Sequence, residues 1–264
     1  MNELRITTVQ THLSWENKAA NLLHFDNLLD ERISNTDVII LPEMFTTGFS
    51  MNPEKFAEDS TSGVAVDWML KQAKRFDAVV TGSIIVEEAG NYYNRLLWVQ
   101  PDGKMVHYDK RHRFSFAGEH KKYTAGQKRV LIEYKGWRIL PLVCYDLRFP
   151  AWSRNTDDYD FCFYVANWPQ KRAFAWKQLL VARAIENLSY VAGVNRCGAD
   201  GNGIEHSGDS LVLHPSGKPL AALTPHETDV STVVLKKDEL REFRERFGFL
   251  NDRDDFEFKG FDNN

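Results

Sequence analysis

Glu43, Lys110 and Cys144 are chemically complementary residues, and each comes at or just after the end of a strand-like segment of the sequence. The segments are short and largely apolar, as is typical of buried strands, and they span 38–42, 105–108 and 139–143. Ligands of α/β proteins bind in the crevice outside the carboxyl ends of strands. If these strands are neighbours, the three side chains converge on one rim of the sheet. We predict this convergence of the side chains.

A cysteine, a carboxylate and an ammonium group form a complete set for acyl transfer. A thiol is only partly ionised near neutral pH, so a neighbouring base must take its proton as the sulfur attacks a carbonyl carbon. Glu43 can do this, pass the proton to departing ammonia and then activate water. Lys110 and the backbone N–H of Tyr145 can donate hydrogen bonds to the oxyanion of the tetrahedral intermediate. The set predicts a thiol-dependent amide hydrolase with Cys144 as nucleophile.

Each of these residues also has a purely structural interpretation. A lone cysteine after an apolar strand is more often a small core residue, and this is our expectation for Cys162 and Cys197. Glu43 could be an acid at a helix N-terminus, and Lys110 could be a solvated hairpin residue. The structural interpretation weakens for the set, because a carboxylate at the end of a buried strand needs a partner.

Two other hydrolytic mechanisms compete with this interpretation. A papain-like enzyme would use His112 or His120 as its base, but its cysteine begins a helix, whereas Cys144 follows a strand. A zinc hydrolase could use His107, Asp109 and His112, but the sequence has no HExxH or CxxC spacing. We therefore expect neither a metal nor another cofactor.

The surrounding pattern alternates strands and helices, and it includes hairpins, which indicates mixed rather than purely parallel sheets. Turn residues at 101–103 and 135–136 predict two of these hairpins. An amphipathic helix follows the first strand, with Ser14 as its expected N-cap. We find no repeat or linker and predict a single domain over residues 1–264, with two sheets face to face, helices outside and an extended polar tail from about residue 251.

The composition narrows the classes of partner and the compartment. Of the 264 residues 43% are hydrophobic, enough for a sizeable core, and the net charge of −4 is spread along the chain. Nucleic-acid binding needs a clustered basic face, so we expect no nucleic-acid partner. No apolar stretch approaches the roughly 20 residues of a membrane span, and no apolar signal core follows Met1, so we expect no membrane partner. The small, odd number of cysteines favours a reducing compartment, and we predict a cytoplasmic protein.

The segments around the three reactive residues resemble the motifs of the nitrilase superfamily of carbon–nitrogen hydrolases. LPEMF at 41–45 with GF at 48–49 is similar to its glutamate motif, YDKRH at 108–112 to its lysine motif and CYDLRFP at 144–150 to its cysteine motif. ANWP at 166–169 and ARAIEN at 182–187 resemble the omega-amidase branch. The resemblance extends from about residue 4 to the helix near residue 247, and its motifs are specific in combination.

This resemblance implies an α/β fold, the αββα sandwich, and a homodimer that pairs helices on one face. It also implies a second glutamate that positions the catalytic groups. In the omega-amidase pattern this glutamate lies in a Glu-His-x-x-Tyr segment, which matches Glu119 here. The favoured substrates are 2-oxoglutaramate and 2-oxosuccinamate, which give a 2-oxo dicarboxylic acid and ammonia. N-carbamoyl compounds and simple aliphatic amides are alternatives, and a non-catalytic binding protein on the same fold is another.

Such a substrate carries a carboxylate at the end far from the amide, and this group needs a cationic partner. Arginine suits it through its bidentate fork. We predict Arg148, four residues after Cys144, as this clamp, with Arg172 as the second candidate. The alternative is that Arg148 pairs with a structural acid, either Asp146 or Glu186.

Aromatic residues near the motifs predict the walls of the pocket. Phe49, Tyr145 and Trp168 would exclude long substrates if they line it. Aromatic packing in the core explains the same residues equally well. We therefore predict a small substrate pocket, and the position of these three side chains decides between the two interpretations.

Overall fold

The computed structural model describes residues 2–258 and has two six-stranded sheets at its centre. The first sheet contains β1 (Glu3–Gln10), β2 (Val38–Ile40), β3 (Val79–Glu88), β4 (Asn91–Val99), β5 (Met105–Asp109) and the last strand of the chain, β14 (Asp229–Lys236). Its order is β14-β1-β2-β3-β4-β5. Strands β1, β2 and β3 are parallel, and the other pairings are antiparallel.

The second sheet is also mixed. It contains β6 (Ile132–Tyr134), β7 (Trp137–Val143), β8 (Phe161–Ala166), β9 (Tyr190–Asn195), β12 (Leu211–Leu213) and β13 (Pro219–Ala222) in the order β13-β12-β9-β8-β7-β6. Strands β7, β8 and β9 are parallel. A separate hairpin consists of β10 (Cys197–Ala199) and β11 (Glu205–Ser207). The predicted hairpins β4–β5 and β6–β7 are both present.

The two sheets pack face to face through a shared apolar layer. Trp98 of β4 and Phe163 of β8 are fully buried in it, with ring centroids 6.2 Å apart. Alternate residues of a strand point to opposite faces, so each strand contributes one set of side chains to this layer. Burial of apolar surface at about 25 cal/mol per Å² holds the layers together.

Within the described residues, six α-helices complete the fold: α1 (Lys18–Arg32), α2 (Pro53–Phe56), α3 (Val64–Phe76), α4 (Pro150–Ser153), α5 (Ala173–Asn187) and α6 (Lys237–Phe247). Helices α1 and α3 cover the first sheet, where Phe25 and Trp68 pack in one cluster with Ile39. Helix α5 covers the second sheet at close range, because a Cβ at Gly193 would lie 2.3 Å from Leu180. The predicted αββα sandwich is confirmed. Within residues 2–258, no helix is long and apolar enough to cross a membrane.

The start of α1 differs from the sequence prediction. The helix begins at Lys18, and its N-cap is Asn17, whose side chain accepts the N–H of Ala20 at 3.1 Å. The prediction that Ser14 is the N-cap is therefore wrong. Its backbone is held outside the helix by the side chain of Asn21, which donates to the Ser14 carbonyl at 2.8 Å.

The described part of the polar tail, residues 251–258, lies on the body of its own chain. Arg253 donates to the backbone carbonyl of Asn155 at 3.1 Å and pairs with Asp158 at 2.8 Å. The ring of Phe258 packs edge-on against Trp152, with centroids 5.1 Å apart. The remainder of the predicted tail, residues 259–264, lies outside the described residues.

Candidate active site

Cys144 lies on a sharp strand-to-helix turn. It follows β7 and begins a 3₁₀ helix, Cys144–Arg148. Its φ of 43° is in the left-handed region, which residues with a Cβ rarely adopt and which marks strained positions at functional sites. Asp146 holds the turn, because its carboxylate accepts the N–H of Val143 at 3.1 Å and the hydroxyl of Tyr108 at 2.8 Å. Such a turn presents the side chain of a nucleophile outside the sheet.

Glu43 links the carboxyl ends of strands in two different sheets. It follows β2 and is fully buried. Its Oε2 accepts the backbone N–H of Asn167, just after β8, at 2.8 Å, and the Asn167 side chain donates to the Glu43 carbonyl at 2.6 Å. Its Oε1 accepts hydrogen bonds from Lys110 and Asn94, each at 2.8 Å. The three strand ends therefore meet between facing sheets: β2 and β5 belong to the first sheet and β7 to the second, so they are not neighbours in one sheet.

Lys110 follows β5 and is buried between two carboxylates. Its Nζ donates to Oε1 of Glu43 at 2.8 Å and to both carboxylate oxygens of Glu119 at 3.0 Å. Glu119 is buried too, and it also accepts the backbone N–H of Phe114. On its other side the ammonium lies 5.0 Å from the ring centroid of Phe49. The side chains of Glu43, Lys110 and Glu119 thus form one hydrogen-bonded cluster.

The protonation states follow from burial and from the neighbouring charges. Burial raises the pKa of the Cys144 thiol well above its ordinary value, and the charge of Glu43 raises it further, against the opposing effect of Lys110. The Glu43 carboxylate is close enough to the thiol for its charge to act on the thiol pKa. Burial lowers the pKa of Lys110, but Glu119 and Glu43 outweigh burial and the net pKa is raised. The site therefore combines a protonated thiol with a lysine that stays charged.

The pKa of the Glu119 carboxyl group is also raised. Burial raises its pKa, and the charge of Glu43 adds to this, while Lys110 acts in the opposite direction. Two carboxylates around one ammonium cannot both be neutralised by it. The cluster therefore depends on further hydrogen-bond donors, which Asn94 and the backbone N–H groups of Asn167 and Phe114 supply.

Cys144 opens onto a cavity of about 70 Å³. Since a single water needs about 10–15 Å³ of such space, the cavity suits a molecule of a few heavy atoms rather than a polymer. All five residues predicted to bind substrate line it, namely Phe49, Tyr145, Arg148, Trp168 and Arg172. The three aromatic residues among them, Phe49, Tyr145 and Trp168, therefore lie on the wall of the cavity next to Cys144.

Arg148 and Arg172 share two properties: each lines the cavity, and each contacts an aromatic ring. The guanidinium carbon of Arg148 lies 4.9 Å from the ring centroid of Trp168, and that of Arg172 lies 5.2 Å from Phe114. Burial lowers the pKa of Arg172, and the charge of Arg148 lowers it further. Among residues 2–258, neither arginine forms a salt bridge. The carboxylate in the same lining, Asp200, accepts the backbone N–H groups of Asn202 and Ile204 instead. Two close guanidinium groups with no salt bridge of their own favour an anion as ligand.

The alternative pairings of Arg148 are wrong. The Asp146 carboxylate accepts hydrogen bonds from Tyr108 and from both the backbone and the ring of His112, at 2.8, 2.9 and 2.8 Å. Glu186 pairs instead with Arg183 at 2.7 Å. Neither acid is the partner of Arg148, which remains directed to the cavity that it lines.

The rival mechanisms find no matching geometry. The ring of His112 bonds Asp146 and stacks on Phe149 with centroids 3.7 Å apart, whereas the charges that act on the Cys144 thiol are those of Glu43, Lys110 and Glu119. Asp109 is engaged by Arg95, with two hydrogen bonds at 2.6 and 2.9 Å. In the described part of the chain, no group of three or more His, Cys, Asp or Glu side chains is arranged to hold a metal ion.

Sequence reasoning missed one wall of the cavity. The hairpin β10–β11 contributes Asp200, Ile204 and His206 to the lining. Burial, aided by the charge of Arg196, lowers the pKa of His206 to about 4, so its ring is neutral near neutral pH. The signal in the sequence was limited to the glycines at 198, 201, 203 and 208, which do not by themselves indicate a pair of strands.

Comparison with known proteins agrees with this architecture. The sequence model of the carbon-nitrogen hydrolase family matches residues 5–245. The chain is 49% identical over 256 residues to the omega-amidase YafV of Escherichia coli K12, covering 97% of this chain and 99% of that protein. It is 33% identical over 220 residues to the 2-oxoglutaramate amidase of Bacillus subtilis, covering 82% and 85%.

A solved structure is similar over the full length. XC1258 from Xanthomonas campestris, described as a CN-hydrolase superfamily protein with an arsenic adduct in its active site, is 44% identical to this chain. The TM-score is 0.94, and the match covers 98% of this chain and 100% of XC1258. The chain belongs to the carbon-nitrogen hydrolase family, and the predicted membership of the nitrilase superfamily is confirmed. It is accordingly a hydrolase of carbon–nitrogen bonds.

Proposed function

We propose that the chain is an omega-amidase that hydrolyses the terminal amide of a small 2-oxo dicarboxylic acid monoamide, such as 2-oxoglutaramate or 2-oxosuccinamate. The observation that carries this proposal is the placement of Cys144, Arg148 and Arg172 around one small cavity. A nucleophile facing two guanidinium groups complements an amide that also bears a carboxylate. The similarity to the omega-amidase YafV and to the 2-oxoglutaramate amidase supports the same class of substrate.

In the first step, Sγ of Cys144 attacks the amide carbon while Glu43 takes the thiol proton. The electrostatic effect of Glu43 on this thiol, which indicates that the two groups are close, supports the transfer. Lys110 and the backbone N–H of Tyr145 then donate to the developing oxyanion. Tyr145 is the second residue of its 3₁₀ helix, so its N–H has no acceptor within that helix. The raised pKa of Lys110 keeps this donor charged.

In the second step, the C–N bond breaks as Glu43 returns its proton to the leaving nitrogen, which departs as ammonia. A thioester on Cys144 remains. Water attacks this thioester with Glu43 as general base, the C–S bond breaks, and the 2-oxo acid leaves as the proton on Glu43 returns to sulfur. Glu119, which accepts two hydrogen bonds from Lys110, has a positioning role in this scheme.

The carboxylate of the substrate binds Arg148 and Arg172. Arg148 makes a cation–π interaction with Trp168, and Arg172 makes one with Phe114. These interactions use the charge or the flat face of the guanidinium group. Such contacts leave N–H groups for a bidentate carboxylate. Tyr145 and Phe49 complete the aromatic lining on the side of Cys144. The arrangement explains a preference for short substrates, because the reacting carbon and the carboxylate must fit one small cavity.

An ammonia-release screen tests the proposal against its alternatives. The substrates are 2-oxoglutaramate, succinamate, glutaramate, N-carbamoyl amino acids, carbamoylputrescine and a simple nitrile. An omega-amidase gives its highest kcat/KM with the carboxylate-bearing omega-amides. Faster release from N-carbamoyl compounds or from neutral amides would identify a different amidase. Release from none of them would favour the non-catalytic binding protein, against which the assembled Cys144–Glu43–Lys110 geometry argues.

We also propose a homodimer that pairs through α5 and works in the reducing cytoplasm. Phe174 and Ile185 of α5 are 77% and 49% exposed. They are 11 residues apart, which is close to three helical turns, so they lie on one face of the helix. Exposed apolar residues that share a face favour contact with another surface. Cys144, Cys162 and Cys197 are all free thiols, as a reducing compartment favours. Sedimentation of the wild type and of Ile185→Asp tests the dimer.

A further inference from the structure

Asn94 touches every charged member of the cluster behind Cys144. It lies on β4 and is 2% exposed. Its Nδ2 donates to Oε1 of Glu43 at 2.8 Å and reaches Oε1 of Glu119 at 3.4 Å. Its backbone carbonyl accepts the N–H of Lys110 at 3.0 Å. One residue therefore contacts Glu43 and Glu119 with its side chain and the lysine with its main chain.

The strand register explains how Asn94 reaches these positions. Strands β4 and β5 are antiparallel, with Arg95 opposite Asp109. One step further along this antiparallel register, Asn94 on β4 lies opposite Lys110, the residue that follows the end of β5. Because side chains alternate between faces, Asn94 and Arg95 point to opposite sides of the sheet. Arg95 accordingly serves a separate ion pair with Asp109, and Asn94 serves the buried cluster.

The amide of Asn94 is oriented by the carboxylates rather than by its own hydrogen-bonding needs. Among the described residues, its Oδ1 is buried and has no hydrogen-bond partner. Buried polar atoms are nearly always paired, so this one marks a site where another requirement dominates. If the amide were turned over, Oδ1 would face the oxygens of Glu43 and Glu119, which repel it. The Nδ2 group is thus held as a donor to the two carboxylates.

The side chain of asparagine suits this position because it is a neutral hydrogen-bond donor. Glu43 and Glu119 carry two negative charges when ionised, and Lys110 carries one positive charge, so the buried cluster requires a neutral donor. An aspartate would add a third carboxylate, and an alkyl side chain would leave the existing oxygens without a donor. A hydrogen bond to the charged form of a carboxyl group favours that form.

We propose that Asn94 is a positioning residue that holds Glu43 as a carboxylate next to the thiol of Cys144. The inference rests on the proposed role of Glu43 as the base. It assigns Asn94 no contact with the substrate, and the residue does not line the cavity. Its effect on the reaction is exerted through Glu43, so its replacement should alter the pH profile of the reaction as well as the rate.

The pH dependence of two rates tests this inference. The first is alkylation of Cys144 by iodoacetamide, which is independent of the natural substrate, and the second is kcat/KM for the omega-amide that reacts fastest. In Asn94→Asp the acidic limb of both profiles should move to higher pH by about one unit, because a third negative charge beside the two carboxylates disfavours their charged forms. Asn94→Ala should move it in the same direction by less. Both variants should lose about 10- to 100-fold in kcat/KM, as expected for a lost hydrogen bond to a charged group.

Asn155→Ala is the matched control. Asn155 is also a fully buried asparagine, and its Nδ2 donates to the carbonyls of Tyr159 and Asn187 at 3.0 Å. This control should lower stability and leave the acidic limb in place. If the limb also stays in place in both Asn94 variants, Asn94 is only structural and the inference is overturned. A wild type with no acidic limb would overturn the role of Glu43 as base and this inference with it. If Asn94→Asp does not fold, the shift in Asn94→Ala decides the question.

Discussion

The Nζ atom of Lys110 lies 2.8 Å from Oε1 of Glu43, and these side chains are 1% and 0% exposed. A buried ion pair adds little net stability, because desolvation of the two charges offsets their attraction. Removal of one partner is nevertheless expensive, since it leaves the other charge buried and unpaired. The pair is therefore better explained by a chemical role beside Cys144 than by a contribution to folding.

Lys110→Ala should impair both activity and stability. It removes an oxyanion donor, which costs about 3–4 kcal/mol in kcat/KM. It also leaves Glu43 and Glu119 unpaired, which should lower the free energy of unfolding by about 3–5 kcal/mol. Steady-state kinetics and urea denaturation measure the two effects. Lys104→Ala is the control, because Lys104 is exposed in the turn before β5, and it should change neither quantity. Near wild-type kcat/KM in Lys110→Ala would remove lysine from the mechanism.

Glu43→Gln should lose acylation, because an amide cannot accept the thiol proton. It should also slow the alkylation of Cys144 by iodoacetamide near neutral pH, since burial keeps this thiol protonated. The rate of alkylation is measured by quenching the reaction at several times and determining the alkylated fraction by mass spectrometry. Glu133→Gln, at an exposed position on β6, should behave as the wild type. Wild-type alkylation kinetics in Glu43→Gln would count against Glu43 as the base.

Arg148→Lys should weaken carboxylate-bearing amides far more than a neutral amide of equal length. Lysine keeps the charge and loses the planar fork, so the loss falls on bidentate recognition. A missing partner for a desolvated carboxylate costs about 2–5 kcal/mol, which kcat/KM reveals clearly. An equal loss on both substrates would mean that Arg148 only shapes the site. The same pair of substrates should then be applied to Arg172→Lys.

His206 should make the protein less stable in mild acid. The pKa of its buried ring is lowered from 6.5 to about 4, so between these values the unfolded chain binds more protons than the folded one. Stability from this group is therefore complete above pH 6.5 and declines as the pH falls toward 4, by an amount on the order of 3 kcal/mol. Urea denaturation at several pH values measures this loss. His206→Gln should flatten the dependence, while His120→Gln, at an exposed position, should not. An unchanged slope in His206→Gln would contradict this account.

The positions of Glu43, Lys110 and Cys144 could be predicted because each lies at or just after the end of a short apolar strand, and strand ends are visible in sequence. Their partners were not predictable from periodicity. Glu119 lies in a 3₁₀ turn, Glu119–Lys121, and only the family resemblance pointed to it. Asn94 precedes Arg95 in the polar first half of β4, where nothing in the sequence distinguishes it, and its role depends on contacts between distant parts of the chain.

Local signals also failed where tertiary contacts decide. Ser14 and Asn17 are both suitable N-caps, and the choice depends on Asn21, which bonds the carbonyls of Ser14 and Thr46 at 2.8 Å. The hairpin β10–β11 pairs short segments across a glycine-rich loop, with no alternation of apolar residues to mark them. The arginines were predicted from the charge of the expected substrate. That neither forms a salt bridge with another residue between 2 and 258 is visible only in the packing.

The most direct test of the central claim is the mass of the enzyme quenched during turnover of 2-oxoglutaramate. We predict a thioester adduct equal to the substrate minus ammonia on the peptide that contains Cys144. Cys162→Ala should form the same adduct, because Cys162 is a buried core residue. Cys144→Ala should fold, form no adduct and retain less than about a hundredth of the wild-type rate. An adduct on another residue, or substantial turnover by Cys144→Ala, would contradict the covalent mechanism.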